Sequence, residues 1–158
     1  MIRLLLLILL AISTGAAAAE LSATAAWARA SATGAQVGGV FLTLTNAGPT
    51  PGQVVSATCA MAAHVELHTH QTRADGSIGM MAVPAITVPA QGHLDLKPGS
   101  FHIMLIGLTS RLVEGTTFPL TLSTAAGDAM TVDVTVGPAA GMTAPAAAAT
   151  TAAPCCAH

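Results

Sequence analysis

The run TFPLTLSTAAGDAMTVDVTV, residues 117–136, decides the fold. Phe118, Leu120 and Leu122 alternate with Thr117, Thr121 and Ser123, and beyond Gly127-Asp128 the pattern resumes with Met130, Val132, Val134 and Val136 set against Thr131, Asp133 and Thr135. A period of two places all the apolar side chains of a run on one side of an extended chain. Two such runs around a Gly-Asp break therefore read as strands that bury one face and wet the other.

The same grammar extends outward through the chain. Further strand-like runs occur at 23–30, 39–46, 53–58, 64–70, 78–83, 93–96 and 101–107, separated by Asn46-Ala47-Gly48, Asp75-Gly76, Lys97-Pro98-Gly99 and a Pro/Gly-punctuated connector before residue 93. No segment carries a helical apolar period. The expectation is an all-β, antiparallel sandwich or barrel in a single domain.

The ends of the 158-residue chain have a different composition. Arg3, the apolar run 4–12 and Ala17-Ala18-Ala19 before Glu20 have the order of a cleaved secretory signal, so residues 1–19 are assigned as a signal peptide and residues 20–137 as the mature domain. The apolar run is short for a membrane span, and no cysteine follows it closely enough to suggest a lipid anchor, so no membrane insertion of the mature form is expected. Residues 138–158, rich in Ala, Pro and Thr and lacking large apolar side chains, read as a disordered tail that ends in Cys155-Cys156-Ala157-His158.

Composition excludes several classes of function. With five Lys and Arg, a net charge of −2, one Trp and no Tyr, the chain has neither a phosphate-neutralising patch nor a base-stacking platform, so nucleic acid is not its partner. No Ser-His-Asp arrangement is recognisable and catalytic carboxylate pairs are hard to place among seven acids, so an enzyme is not expected. Five of six histidines and three of seven methionines instead fall between His64 and Met104. Imidazole with thioether is the donor set of a soft ion, above all Cu(I), whereas zinc recruits His, Cys and carboxylate.

Alternation shows how these donors meet. In FHIML (101–105), His102 and Met104 project from one side of a strand whose other side is Phe101, Ile103 and Leu105. In HVELHTH (64–70), His64, Glu66, His68 and His70 share a side opposite Val65 and Leu67. Asp75-Gly76 turns the chain back so that Met80 or Met81 approaches the histidine strand. Glu66 is placed to orient an imidazole. His64 and His93 read as surface residues, and Met130 and Cys59 as packing.

These residues resemble the periplasmic copper chaperones called PCu(A)C, whose motif is a histidine, about ten residues, a methionine, twenty-one residues and His-x-Met. Met80 is followed by twenty-one residues and then His102-Ile103-Met104, while His68 and Met80 are separated by eleven. Ala26-Trp27-Ala28-Arg29-Ala30, the words from Gly38 to Asn46, and Leu96-Lys97-Pro98-Gly99 are similar to further family words in the same order. The resemblance implies a cupredoxin-like Greek-key β-sandwich and a metal site of His68, Met80, His102 and Met104, with His70 and Met81 as alternates. It implies Cu(I) as cargo, a periplasmic location, and delivery to the copper-centre subunit of a cytochrome oxidase or through a thioredoxin-like copper-transfer protein. Cys155, Cys156 and His158 could take a second ion, Cu(II). Two other readings are a blue-copper electron carrier, which needs a thiolate that no Cys-His-Met loop supplies, and a metal-free interaction module.

Overall fold

The computed structural model describes residues 19–139 other than residue 74; the signal-peptide and tail assignments fall almost wholly outside the described residues. The described residues form ten strands and no helix. In chain order they are β1 (Leu21–Arg29), β2 (Val37–Asn46), β3 (Gly52–Thr58), β4 (Ala62–Thr72), β5 (Ile78–Ala82), β6 (Ile86–Val88), β7 (Gly92–Leu96), β8 (His102–Leu108), β9 (Thr117–Thr124) and β10 (Ala129–Gly137). Nine occupy the runs expected from alternation. β6 is the addition, three residues bracketed by Pro84 and Pro89, whose Ile86 and Val88 are fully buried.

The strands make one hydrogen-bonded path in the order β5-β4-β8-β2-β1-β10-β9-β3-β6, with β7 paired to β2 beyond the end of β8. Only β1–β2, β4–β5 and β9–β10 are sequence-consecutive neighbours; every other step crosses over, as Greek-key winding requires. The path curls on itself, and β3 comes back alongside β4. One pair departs from the antiparallel expectation: β1 and β10 run parallel, with Trp27 opposite Thr135 and Arg29 opposite Gly137. Long crossover connections free two strands from the alternating directions that hairpins impose.

The core is the inward side of these strands. Val40, Leu42 and Leu44 of β2, Leu67 of β4, Ile103 and Leu105 of β8, Phe118, Leu120 and Leu122 of β9 and Val134 and Val136 of β10 all belong to one buried apolar cluster. β1 breaks its alternation at a bulge between Thr24 and Trp27, where Ala25 adopts a left-handed backbone (φ 51°). Ala26, Trp27 and Ala28 are buried in succession as a result.

Candidate metal centre

The site lies on the outward face of β5, β4, β8 and the first half of β2. Register fixes its membership. Across β4 and β8, His68 faces His102 and Glu66 faces Met104; across β4 and β5, His70 faces Met80. Directly paired residues share a face, and so do residues two apart, so Glu66, His68, His70, Met80, His102 and Met104 all project the same way. Met81 pairs with Thr69 and points to the other side. Gly39 lies opposite Met104 on β2 and places no side chain beside the thioether.

An outward-facing histidine would normally be wet, yet His102 is 5% exposed. Two structures cover it. Phe41 stands on the neighbouring strand with its ring centroid 6.3 Å from that of His102, and is backed by Trp27 at 4.7 Å and by the Arg29 guanidinium at 5.9 Å. On the other side is the turn Lys97-Pro98-Gly99-Ser100, closed by the Ser100 N–H donating to the Lys97 carbonyl at 3.0 Å. Proline second and Gly99 third, at φ 86°, are what such a turn requires.

That turn also aims two rings. The Ser100 carbonyl accepts from Nδ1 of His102 at 3.1 Å and from Nδ1 of His70 at 3.2 Å. With each Nδ1–H committed to oxygen, the Nε2 of each ring carries the lone pair. His68 is held in the reverse sense: its Nε2–H donates to the Glu66 carboxylate at 2.8 Å, while its Nδ1 is buried without a hydrogen-bond partner. A buried nitrogen left in this way is costly unless something supplies a bond to it. The ring of His102 lies between the other two, 5.7 Å from His68 and 5.2 Å from His70. Burial pushes the His102 imidazole below its ordinary pKa; the Ser100 carbonyl opposes that, and the neighbouring His70 and His68 add to it. A neutral ring is the form that binds metal.

A cleft of about 340 Å³ opens over these groups, and His70, Met80, His102, Met104, Phe41 and Arg29 are among its lining residues. His68 is not in that lining; it adjoins the cleft through its contact with the His102 ring. Among the described residues no three His, Cys, Asp or Glu side chains converge closely enough to hold an ion by themselves. An ion seated here therefore draws on the thioethers. The exposures are graded: Met80 is 53% exposed at the hairpin edge, Met104 is half-buried and His102 is sealed.

Residues set aside as packing or surface sit accordingly. His64 and His93 are exposed, and Met130 packs on the core. Met61 also packs there, its sulfur 4.0 Å from the Ser110 hydroxyl. Cys59 is half-buried against the core and does not line the cleft, so no thiolate enters the site from the described residues. Sequence reasoning missed the aiming role of Ser100, because a main-chain carbonyl has no residue signature.

Known proteins resemble this chain in sequence and fold. A solution structure of "CuI-DR1885" from Deinococcus radiodurans is similar, with 34% identity over 71% of this chain and 74% of that one and a TM-score of 0.58. A copper-bound PCuAC domain from PmoF2 shares the fold, with a TM-score of 0.64 over 78% of this chain and 97% of that domain at 18% identity. Among curated proteins, "Putative lipoprotein Lxx21020" of Leifsonia xyli subsp. xyli is 32% identical over 111 residues; the match spans 70% of this chain and 66% of that relative. The family model described as "Putative lipoprotein LpqE-like" matches residues 21–136, nearly the whole described domain. By that match the chain belongs to the LpqE-like family.

Proposed function

We propose that this protein is an exported copper chaperone, not an enzyme, that carries Cu(I) in the cleft through His68, Met80, His102 and Met104. One observation carries the reading: two imidazoles and two thioethers share one face, and each of the two rings has one nitrogen committed to oxygen and the other left with a lone pair. Metal-binding histidines characteristically give their second nitrogen to a carboxylate or carbonyl, as His68 does to Glu66 and His102 to Ser100. Neutral thioethers favour the monovalent ion without holding it as tightly as thiolates, which suits a cargo that must be released. The copper named for the DR1885 structure and for the PCuAC domain supports the same cargo here.

Transfer follows from the graded exposure. An acceptor's ligand reaches the ion from the side of Met80, the most exposed donor, and His102 lets go last. With residues 1–19 read as an exporting signal, the proposed place of this exchange is the periplasm. The recipient is the copper-centre subunit of a cytochrome oxidase, reached directly or through a thioredoxin-like copper-transfer protein.

Competition titration of the full chain against a Cu(I) chelator, before and after Met104→Ile, tests the site. The variant should lose affinity by about tenfold or more, a change of ~1.4 kcal/mol or above. Equal affinity of the two forms would remove Met104 from the site and the reading with it.

A further inference from the structure

The cleft has one permanently charged side chain in its lining, Arg29, and its sign is unfavourable to a cationic cargo. We infer that Arg29 anchors an anionic partner: the protein that takes the metal sets a carboxylate against this guanidinium while its soft ligand meets the ion from the side of Met80. This rests on the copper reading above and names the chemistry of the surface that docks over the cleft.

The chain as a whole is acidic, with seven Asp and Glu against five Lys and Arg. Its carboxylates lie away from this cleft. Glu20 and Asp128 line a separate cavity of about 440 Å³, and Glu66, although on the metal face, is outside the cleft lining and bonded to His68 at 2.8 Å. Arg29 is exposed, and among the described residues no carboxylate pairs with it. It rests over the Phe41 ring at 5.9 Å, and Phe41 in turn lies 6.3 Å from the His102 ring, so an anion on Arg29 is one ring away from the innermost ligand. A guanidinium supported by a ring keeps its fork of N–H groups for a planar carboxylate. A fixed positive charge beside the seat of a cation opposes loading and draws anions to the mouth. Lys97 repeats the sign on the rim: it is exposed, is not paired with a carboxylate among the described residues, and starts the turn whose Pro98 and Gly99 line the cleft. Arg29 on β1 and Met80 on β5 stand at opposite ends of the run β5-β4-β8-β2-β1. Four strand spacings of roughly 4.8 Å separate those strands along the sheet. A ligand that engages both residues therefore covers the whole mouth, as a protein surface does and a free anion does not. Val37 and Met80, 49% and 53% exposed in the lining, give that surface its apolar contact.

The test uses the full chain with Cys155→Ser and Cys156→Ser, so that tail thiols do not compete for Cu(I). Transfer from the loaded protein is timed, by the ultraviolet absorption of the Cu(I)–thiolate product, to two synthetic peptides that carry the same pair of cysteines, flanked by glutamates in one and by glutamines in the other. The parent should deliver to the glutamate peptide at least about fivefold faster at low ionic strength. That preference should fade as salt rises from about 0.01 M to about 1 M and the screening length falls from about 30 Å to about 3 Å. Arg29→Met, which keeps a side chain over Phe41 and removes the charge, should cut the preference to about twofold or less, chiefly by slowing delivery to the glutamate peptide. Arg29→Lys, which keeps the charge without the fork, should retain most of it and guards against a packing defect in the first variant. A preference that survives Arg29→Met overturns the proposal. Equal slowing toward both peptides in both variants also overturns it, because Arg29 would then be a support for Phe41. A parent that binds Cu(I) and delivers to the two peptides alike overturns it and leaves the chaperone reading standing. Failure of the parent to bind Cu(I) overturns both.

Discussion

Two hairpins of this protein are built alike and used differently. In β9–β10 the inward residues Phe118, Leu120, Leu122, Val134 and Val136 are buried, and the outward positions hold Thr, Ser and Asp together with Pro119 and Ala129. In β4–β5 only Leu67 is fully inward, while Ile78, Met80 and Met81 stand 70%, 53% and 47% exposed. Both show alternation, which reports only that one side faces the core. What distinguishes them is the chemistry of the other side. Hydroxyls facing water need no explanation, but imidazoles tied to oxygen acceptors beside thioethers do. One hairpin holds the fold and the other carries donors of the proposed copper site.

The largest effect that separates them is on stability. Leu120→Ala empties a fully buried position and should cost about 2–5 kcal/mol in urea unfolding, while the protein that remains folded keeps its copper affinity. An unchanged unfolding midpoint would mean that the β9–β10 face is not the core. Next comes a pair of neighbours on the other hairpin. Met80→Leu should weaken Cu(I) binding by about tenfold, ~1.4 kcal/mol. Met81→Leu, on the opposite side of the strand, should leave affinity where it was. Both exposed changes should move stability by less than about 0.5 kcal/mol. If chelator competition finds the two variants equal, the assignment of faces is wrong.

A smaller loss is expected from Glu66→Gln, which retains an acceptor for His68 but weakens it; Cu(I) affinity should fall by no more than about tenfold. An increase would show that the carboxylate competes with the metal for the ring. The smallest effect concerns pH. His102 titrates below its ordinary value of 6.5 in the folded protein, so between the two values the unfolded chain binds more protons. Stability of the copper-free protein is therefore full above pH 6.5 and falls as acid is added through that window. His102→Asn should flatten that slope in thermal unfolding from pH 7.5 to pH 5, and an unaltered slope would assign the acid sensitivity to other groups.

The sequence displayed most of this architecture because period-two alternation survives wherever one side of a strand is buried. Nine strands and the shared side of His102 and Met104 were legible for that reason. β6 was not, since three residues between prolines offer too little pattern, although Ile86 and Val88 lie in the core. The parallel β1–β10 pairing was hidden because direction is set by crossovers and not by the strands themselves. At the site, the spacing left His68 and His70 as alternatives and the likeness of Val65-Glu66-Leu67-His68 to the family's words favoured His68, whereas the lining of the cleft contains His70. Neither spacing nor wording records which ring a turn has pulled inward.

That turn has a consequence for how variation at this locus would be scored. Because the group that orients both rings is the peptide oxygen at position 100, exchanging the serine for another residue leaves the orienting atom in place, and a survey of side-chain replacements would pass over it as tolerant. Sensitivity should surface one position earlier, at Gly99, where φ 86° disfavours any residue bearing a Cβ. A glycine with nothing within 4 Å of its would-be Cβ would then look, to such a survey, like part of the metal apparatus.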